Sequence, residues 1–534
     1  MSYQSYNKGS KAGDLWRFKE AKHVTAFERF ILLVLVITGI ISILRFADWW
    51  FTGSHIGNPV LYMLLSLAFW YSISRLILIW INYLRIKKAP KTTAPTGLRV
   101  AIFTTSSPGE PLEMFEKTLA ACASVKYPHT TYLLDDTQKP EFRECAERNG
   151  AVWLELVGLP GAKAGKINKA LELTNEDFIL VLDPDHIPFP EFFEHTLGYF
   201  DDPKVGFVQV SQAYYNQYRS FTAAGAAEQT YTFYGPTQMS LYGYGCCVAI
   251  GANCTFRKEA LMSINGHGIG LAEDLITAIR IHAAGWKSIY NPVVVSRGLV
   301  PEDFGSFCKQ QLKWARGVFE VTFMELPRLY RKLTGWQRIS YFTIGTYYLV
   351  GLTQFIFTLI PFLYFFTGIM PAHMEFADFI VYGAPVVLCA IAIYLFVQRW
   401  MCDPSTERGL HWRGMILKFA CWPVFLMGFV LAVVNAEIPY IPTAKKAVTG
   451  YITPFVRPMV IHIGLFLIAI AGIVFYRKYY MPEGELVGSA ERTWGMIAFA
   501  FLAFIMAVGG VYAALEARKM KVEEPWNNVD VKQL

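Results

Sequence analysis

The stretch Phe178-Ile-Leu-Val-Leu182-Asp183-Pro-Asp185 decides the fold. Five consecutive apolar residues run straight into an acidic, proline-containing turn. That is too short for a buried helix and reads as a strand covered on both faces. Working outward, short β-like runs at Leu98–Thr104, Thr131–Leu134, Ala151–Val157 and Val205–Val210 are interleaved with helical patterns such as Met114–Ser124. The alternation predicts a parallel sheet in an α/β domain over residues 97–325, reached through a Pro-rich linker at 89–95. Ligands of such domains bind in the loops after the strands.

On both sides of this centre the sequence turns apolar. Of 534 residues, 54% are hydrophobic and only 17% charged, and the mean hydropathy is +0.31. Phe30–Phe46 and Val60–Ile86 are each long enough to cross a ~30 Å hydrocarbon core. Arg17, Lys19, Lys22 and Arg29 precede this hairpin, Arg85, Lys87, Lys88 and Lys91 follow it, and its link has no Lys or Arg. The hairpin 29–88 is therefore expected to keep both ends, including the segment 1–28, in the cytoplasm. Tyr341–Ile369 and Phe379–Val397 read as two spans within 326–400, after an interface helix. Val456–Phe475 and Trp494–Leu515 read as two more within 455–516, with a cytoplasmic tail at 517–534. Met415–Val434, with basic residues on both flanks, reads as an interfacial or re-entrant helix within 401–454 rather than a seventh span.

The net charge of +7 is modest, and much of the basic excess flanks apolar runs, which argues against nucleic acid as a partner. The polar N-terminus carries no secretory signal pattern. Nine cysteines without CxxC spacing read as reduced, buried thiols rather than disulfides or zinc ligands.

Acidic residues recur at the ends of the predicted elements. Asp135 and Asp136 close one strand, Asp183 and Asp185 close another, and Glu273 and Asp274 open a helical pattern. Gln310-Gln-Leu-Lys313-Trp314 lies in a later helical stretch. Two carboxylates two residues apart at a strand end suit Mg²⁺ or Mn²⁺, with phosphate oxygens completing the shell. Alone, an Asp-x-Asp also marks solvated turns, and an acidic pair also suits a helix N-terminus. The order of the set is what informs.

That ordered set, over roughly residues 98–450, resembles the family 2 glycosyltransferases, and within them the processive, cellulose synthase-like branch that includes curdlan, chitin and hyaluronan synthases. The resemblance implies an α/β nucleotide-sugar-binding domain of the GT-A type, inserted in an α-helical transmembrane domain. By position, Asp135 and Asp136 resemble the pair that contacts uridine. Lys163, in Gly161-Ala-Lys163-Ala-Gly165, resembles a lysine on the donor side. Asp183 and Asp185 resemble the metal-binding pair, with Asp183 also beside the donor. Gln209 and Gln212 resemble glutamines lining the sugar pocket, and Asn253 belongs to a segment beneath the acceptor. Asp274, with Glu273 beside it, resembles the general base. Trp314 resembles the tryptophan on which the acceptor sugar stacks, and Gln310 a contact to the pyrophosphate or acceptor region. Lys313 departs from the family's arginine, keeping the charge without the planar fork, and Arg316 reads as a second phosphate contact. Tyr440-Ile-Pro442-Thr443-Ala-Lys445 resembles the gating loop that closes over the donor, departing from it at Tyr440 and Pro442.

The implied reaction is inverting transfer of a hexose, UDP-glucose first, onto a growing β-glucan that is β-1,3-linked, β-1,4-linked or mixed, with export of the polymer. Implied with it are Mg²⁺ or Mn²⁺, a lipid membrane, accessory export subunits, and a bacterial inner-membrane location with the catalytic domain in the cytoplasm. No PilZ-type control domain is expected in this sequence, which keeps a curdlan-like product open. Alternatives are an N-acetylhexosamine polymer synthase, a non-processive transferase acting on a lipid carrier, and a catalytically silent channel subunit.

Overall fold

A computed structural model describes residues 15–436, 438, 444–480, 486–520, 524–529 and 531. The chain begins with an antiparallel helical hairpin. α1 (Ala26–Trp50) starts in a capping box, in which Thr25 accepts from the Glu28 amide and Glu28 reaches back to Thr25. α2 (Pro59–Tyr83) starts at Asn58, whose side chain accepts from Leu61 N–H, with Pro59 at the first turn. The base of the hairpin is tied by Arg29, which donates to the Leu84 and Ile86 carbonyls at 3.1 and 2.6 Å. A cation there meets carbonyls that the end of a helix leaves unpaired.

The central domain runs β1 (Val100–Thr105), α3 (Leu112–Ala123), β2 (Thr130–Asp135), α4 (Pro140–Arg148), β3 (Val152–Glu155), α5 (Ala162–Leu173) and β4 (Phe178–Leu182). It continues through β5 (Val205–Val210), β6 (Cys254–Arg257), α6 (Glu273–Ala283), β7 (Lys287–Asn291) and α7 (Phe304–Glu320). The sheet has seven strands in the order β3-β2-β1-β4-β6-β5-β7. β4 is buried at every residue, as its unbroken apolar run requires.

The expectation of a purely parallel sheet is corrected. β6 runs antiparallel to both β4 and β5, while the other pairs are parallel. The chain enters β6 through Gly251 and Asn253, at φ +84° and +56°, conformations that reverse its direction.

The apolar runs form helices. Gly335–Gly345 leads into α8 (Val350–Thr367), followed by α9 (Phe376–Val397), α10 (Trp412–Ala420), α11 (Trp422–Val433), α12 (Arg457–Tyr480) and α13 (Leu486–Lys519). Among the described residues, six helices are long and apolar enough to cross a membrane, or up to seven if the bent pair α10–α11 is one span. That pair is bent by 48° at Pro423, which cannot donate to the helix it follows. The two halves of the molecule are joined where α7 lies along α11. A methyl group on Gly428 would come within 2.8 Å of the Ala315 methyl, and Phe319 and Phe429 meet edge to face at 5.3 Å. The nine cysteines are free, and all but Cys389 are buried.

Candidate active site

In the sheet, β1 continues to β2 and β3 on one side, and the chain then returns to β4 on the other. The strand order reverses between β1 and β4, the kind of place where α/β domains form a ligand crevice outside the carboxyl ends of the strands. There lie the loop after β1 (Ser106 to Glu110) and the loop after β4 (Asp183 to His186).

Asp183, Asp185 and His186 place one ligand atom each within 4.8 Å of one another. Two lysines face the carboxylates: Lys163 on α5 donates to Asp183 and also to the Gly251 carbonyl, and Lys445 donates to Asp185 Oδ2 at 2.9 Å. Burial alone would raise both carboxyl pKa values. The ammonium of Lys163 at Asp183, and Lys445 with His186 at Asp185, outweigh it and hold both below the usual range. Both therefore stay ionised at neutral pH. Clustered carboxylate oxygens already balanced by cationic groups fit a hard divalent ion such as Mg²⁺ or Mn²⁺.

A buried relay orients Asp185. Asn253 Nδ2 donates to Gln212 Oε1 at 2.8 Å, and Gln212 Nε2 lies 2.6 Å from His186 Nε2. An amide N–H₂ can only donate, so His186 Nε2 accepts and its Nδ1–H donates to Asp185 Oδ1 at 2.9 Å.

Across Gly251 stands Asp274, at the start of α6. A methyl group on Gly251 would lie 3.4 Å from Asp274 Oδ2, so the absent side chain keeps that oxygen clear. Leu275 N–H donates to Asp274 Oδ1 at 2.8 Å. The deep setting, followed by the Glu273 carboxylate beside it, pushes the pKa of Asp274 up to about 7. Burial works against the charge on Lys163, but Asp183 and then Glu273 more than offset it, and its pKa is raised.

Not every expected site residue joins this cluster. Asp135 is fully buried and its carboxylate accepts from Ser106, Thr137 and Trp153. Asp136 is more open, with Gly158 N–H at 3.2 Å and Lys166 at 3.7 Å. Gln209 lies inside the domain, its amide donating to the Val210, Ala252 and Asn253 carbonyls, and Asn253 is likewise fully buried. Gln209 thus helps to build the floor, and Asn253 belongs to the relay.

On α7, Gln310, Lys313 and Trp314 are partly exposed and share one face by their spacing. Burial lowers the pKa of Lys313, against the pull of Glu273 and Asp183. Arg316 points elsewhere. Its guanidinium binds the Ala436 carbonyl at 3.2 Å and Glu320 at 3.1 Å, a tie between α7 and the end of α11. Thr443, Tyr440 and Pro442 lie outside the described residues.

Residues 178–434 match the family model described as Glycosyl transferase family group 2. The chain is 28% identical over 315 residues to the cellulose synthase catalytic subunit of Komagataeibacter sucrofermentans, covering 57% of this chain and 40% of that one. It is 25% identical over 383 residues to that of Pseudomonas fluorescens, covering 67% and 50%. This chain is thus similar, over its central part, to family 2 glycosyltransferases of the cellulose synthase type. It spans at most about half the length of these two relatives. Among solved structures, the mannosyltransferase PcManGT from Pyrobaculum calidifontis, in complex with GDP-Man and Mn²⁺, aligns over 71% of this chain and 100% of its own. The identity there is 16% and the TM-score 0.48.

Further polar residues beside the same loops went unnoticed in the sequence. Glu110 accepts from Ser107 N–H at 2.9 Å, and burial, against the pull of Lys445, raises its pKa to about 7. Lys166 is buried and donates to the Ser106 carbonyl and to Ser107. Together with His186, these residues sit in or beside strand-end loops, the one signal that could have found them.

The approach of α7 to the Asp274 loop depends on Gly317, where a methyl group would lie 2.8 Å from Ala272 N. Backbone cannot yield cheaply there. Gly317→Ala is expected to cost about 1–3 kcal/mol and to lower turnover, because it displaces Trp314 and Asp274 relative to each other. Thermal unfolding in detergent and a parallel activity assay check it. A melting temperature and a rate equal to wild type would refute the close-packing argument.

Proposed function

We propose that this chain transfers hexose units from a UDP-sugar, UDP-glucose first, to the end of a growing β-glucan, and passes the polymer across a membrane through its apolar helices. The observation that carries this reading is that Asp274 faces the Lys163–Asp183 pair across Gly251. A proton acceptor and a charge-neutralising platform share one cleft.

Lys163, Lys445 and Lys313 give the side of the cleft where a diphosphate would leave a positive field. A divalent cation held by Asp183 and Asp185, Mg²⁺ or Mn²⁺, would supply further screening of that charge. As the acceptor hydroxyl attacks the anomeric carbon, Asp274 takes its proton. Attack opposite the leaving UDP turns an α-linked donor into a β-linked product. Trp314 offers an indole face to the acceptor sugar, and Asp136 the more open of the two uridine-side carboxylates. The cellulose synthase relatives support glucose as the sugar, and the basic flanks of the hairpin support a cytoplasmic site on a bacterial inner membrane.

The test is polymer formation by purified protein in lipid with Mg²⁺ or Mn²⁺. UDP-glucose and UDP-N-acetylglucosamine are offered in parallel, and products are digested with linkage-specific glucanases. Polymer from UDP-glucose is expected, and the glucanase that degrades it names the linkage. Polymer from the N-acetylated donor alone would refute the choice of sugar, and no turnover of any nucleotide sugar would refute the enzyme.

A further inference from the structure

The segment Glu524–Val529 lies far along the chain from the acidic motifs, yet it is seated beside them. Trp526 and Val529 are each 1% exposed, in an apolar cluster with Met114 and Phe115 of α3, Phe142 of α4, and Ile187. Ile187 directly follows the Asp183–His186 loop. Burial of this kind, in a segment that makes only one short turn of its own at Pro525–Asn528, comes from tertiary packing and not from local propensity.

Two polar links run from this segment towards the cleft. On one side, Lys446 pairs with Glu524 and holds its ammonium 5.2 Å from the centre of the Trp526 ring, a cation–π contact. Its neighbour Lys445 is the residue bonded to Asp185. On the other side, Lys117 of α3 donates to the Val529 carbonyl at 3.0 Å. The next residue, Thr118, donates to the Pro184 carbonyl at 2.6 Å, between the two aspartates. The same short segment therefore touches both the chain carrying Lys445 and the helix that holds the Asp183-Pro-Asp185 turn. A further tie, Val448 N–H to Asp303 Oδ2 at 3.1 Å, fixes the Lys445 stretch only from its far side.

We propose that Glu524–Val529 is a strap that sets the position of Lys445 over the donor site, with Trp526 as its anchor and Glu524 as its link. Neither residue touches the reacting atoms; both are positioning residues acting through Lys446. The inference rests on the reading of the cleft as the site of a nucleoside diphosphate-sugar. Its consequence is that donor affinity depends on a segment at the far end of the membrane half, so anything that lifts the strap weakens the donor without altering the proton acceptor.

The experiment uses the full chain in lipid. Trp526→Ala is expected to raise the KM for the donor about tenfold, with a smaller fall in kcat because Lys445 also faces the departing diphosphate, while Trp526→Phe keeps the anchor and stays near wild type. Lys446→Glu and Glu524→Lys each raise KM, and the double exchange restores most of it. That pair is partly exposed, with side chains 36% and 29% accessible, so the exchange remains readable if Trp526→Ala fails to fold. A second readout needs no donor: tryptic cleavage after Lys445 or Lys446 should be about tenfold faster in Trp526→Ala, because cleavage follows the population of the lifted segment. Unchanged KM and unchanged cleavage in a polymer-forming enzyme would overturn the strap, as would higher activity in the variants. Faster cleavage in a protein that turns over no nucleotide sugar would uphold the strap and overturn the donor reading.

Discussion

Asp274→Asn is expected to end polymer synthesis, with turnover falling roughly a thousandfold, while UDP binding stays within about twofold. The side chain keeps its size, and its oxygen can still accept from Leu275 N–H, as Asp274 Oδ1 does at 2.8 Å. What it loses is the ability to take a proton from the attacking hydroxyl. The same residue predicts a pH profile. Loss of hydration in the deep setting, and then the Glu273 carboxylate, bring Asp274 to about 7. A base works deprotonated, and below its pKa the deprotonated fraction falls tenfold per pH unit. Wild-type kcat/KM, which reports the free enzyme, should therefore rise with unit slope towards pH 7 and level off above it. Initial rates from about pH 5.5 to 8.5 on both proteins check this. If the variant polymerises at more than a tenth of the wild-type rate, or keeps the same rising limb, the proton acceptor is another group.

How much of this was legible beforehand varies with the physics behind each signal. β4 was readable to the residue, because a five-residue apolar run closed by Asp-Pro-Asp leaves no other element open. Thr131–Leu134 and Ala151–Val157 marked β2 and β3 within a few residues of their ends. β6 was not readable as a strand. It has only four residues, and its antiparallel sense is set by left-handed backbone at Gly251 and Asn253, which no periodicity reports. The run Met415–Val434 looked continuous because apolarity ignores the break at Pro423. In the site, residue type and position identified groups that converge, such as Asp183, Asp185, Lys163 and Asp274, but not which way a side chain turns. Gln209 and Arg316 have suitable chemistry, and both spend it on backbone carbonyls. The strap was illegible for a related reason. Trp526 becomes an anchor only through a pocket built by α3 and α4, more than 370 residues earlier in the chain.

Asp185→Asn should have the second large effect, and it separates electrostatics from packing. The asparagine oxygen can still accept the His186 Nδ1–H bond, now 2.9 Å long, so the relay through Gln212 and Asn253 keeps its geometry. The negative charge is lost. Lys445, whose pKa is raised because its carboxylate partners outweigh burial, then loses the nearest of them and with it the bond that holds it over the cleft. One of the two anionic groups suited to a divalent ion goes as well. In wild type, adding Mn²⁺ or Mg²⁺ should tighten UDP binding and chelation should reverse it. In Asp185→Asn the cation-dependent gain should vanish, and turnover should fall by about a hundredfold or more. Asp274→Asn provides the contrast: it should lose turnover while keeping the cation-dependent gain. Calorimetric titration of UDP with and without cation reads both. If Asp185→Asn still gained UDP affinity from the cation, the Asp183–Asp185 turn would not be the metal site, and the field of Lys163 and Lys445 would have to stabilise the departing diphosphate unaided.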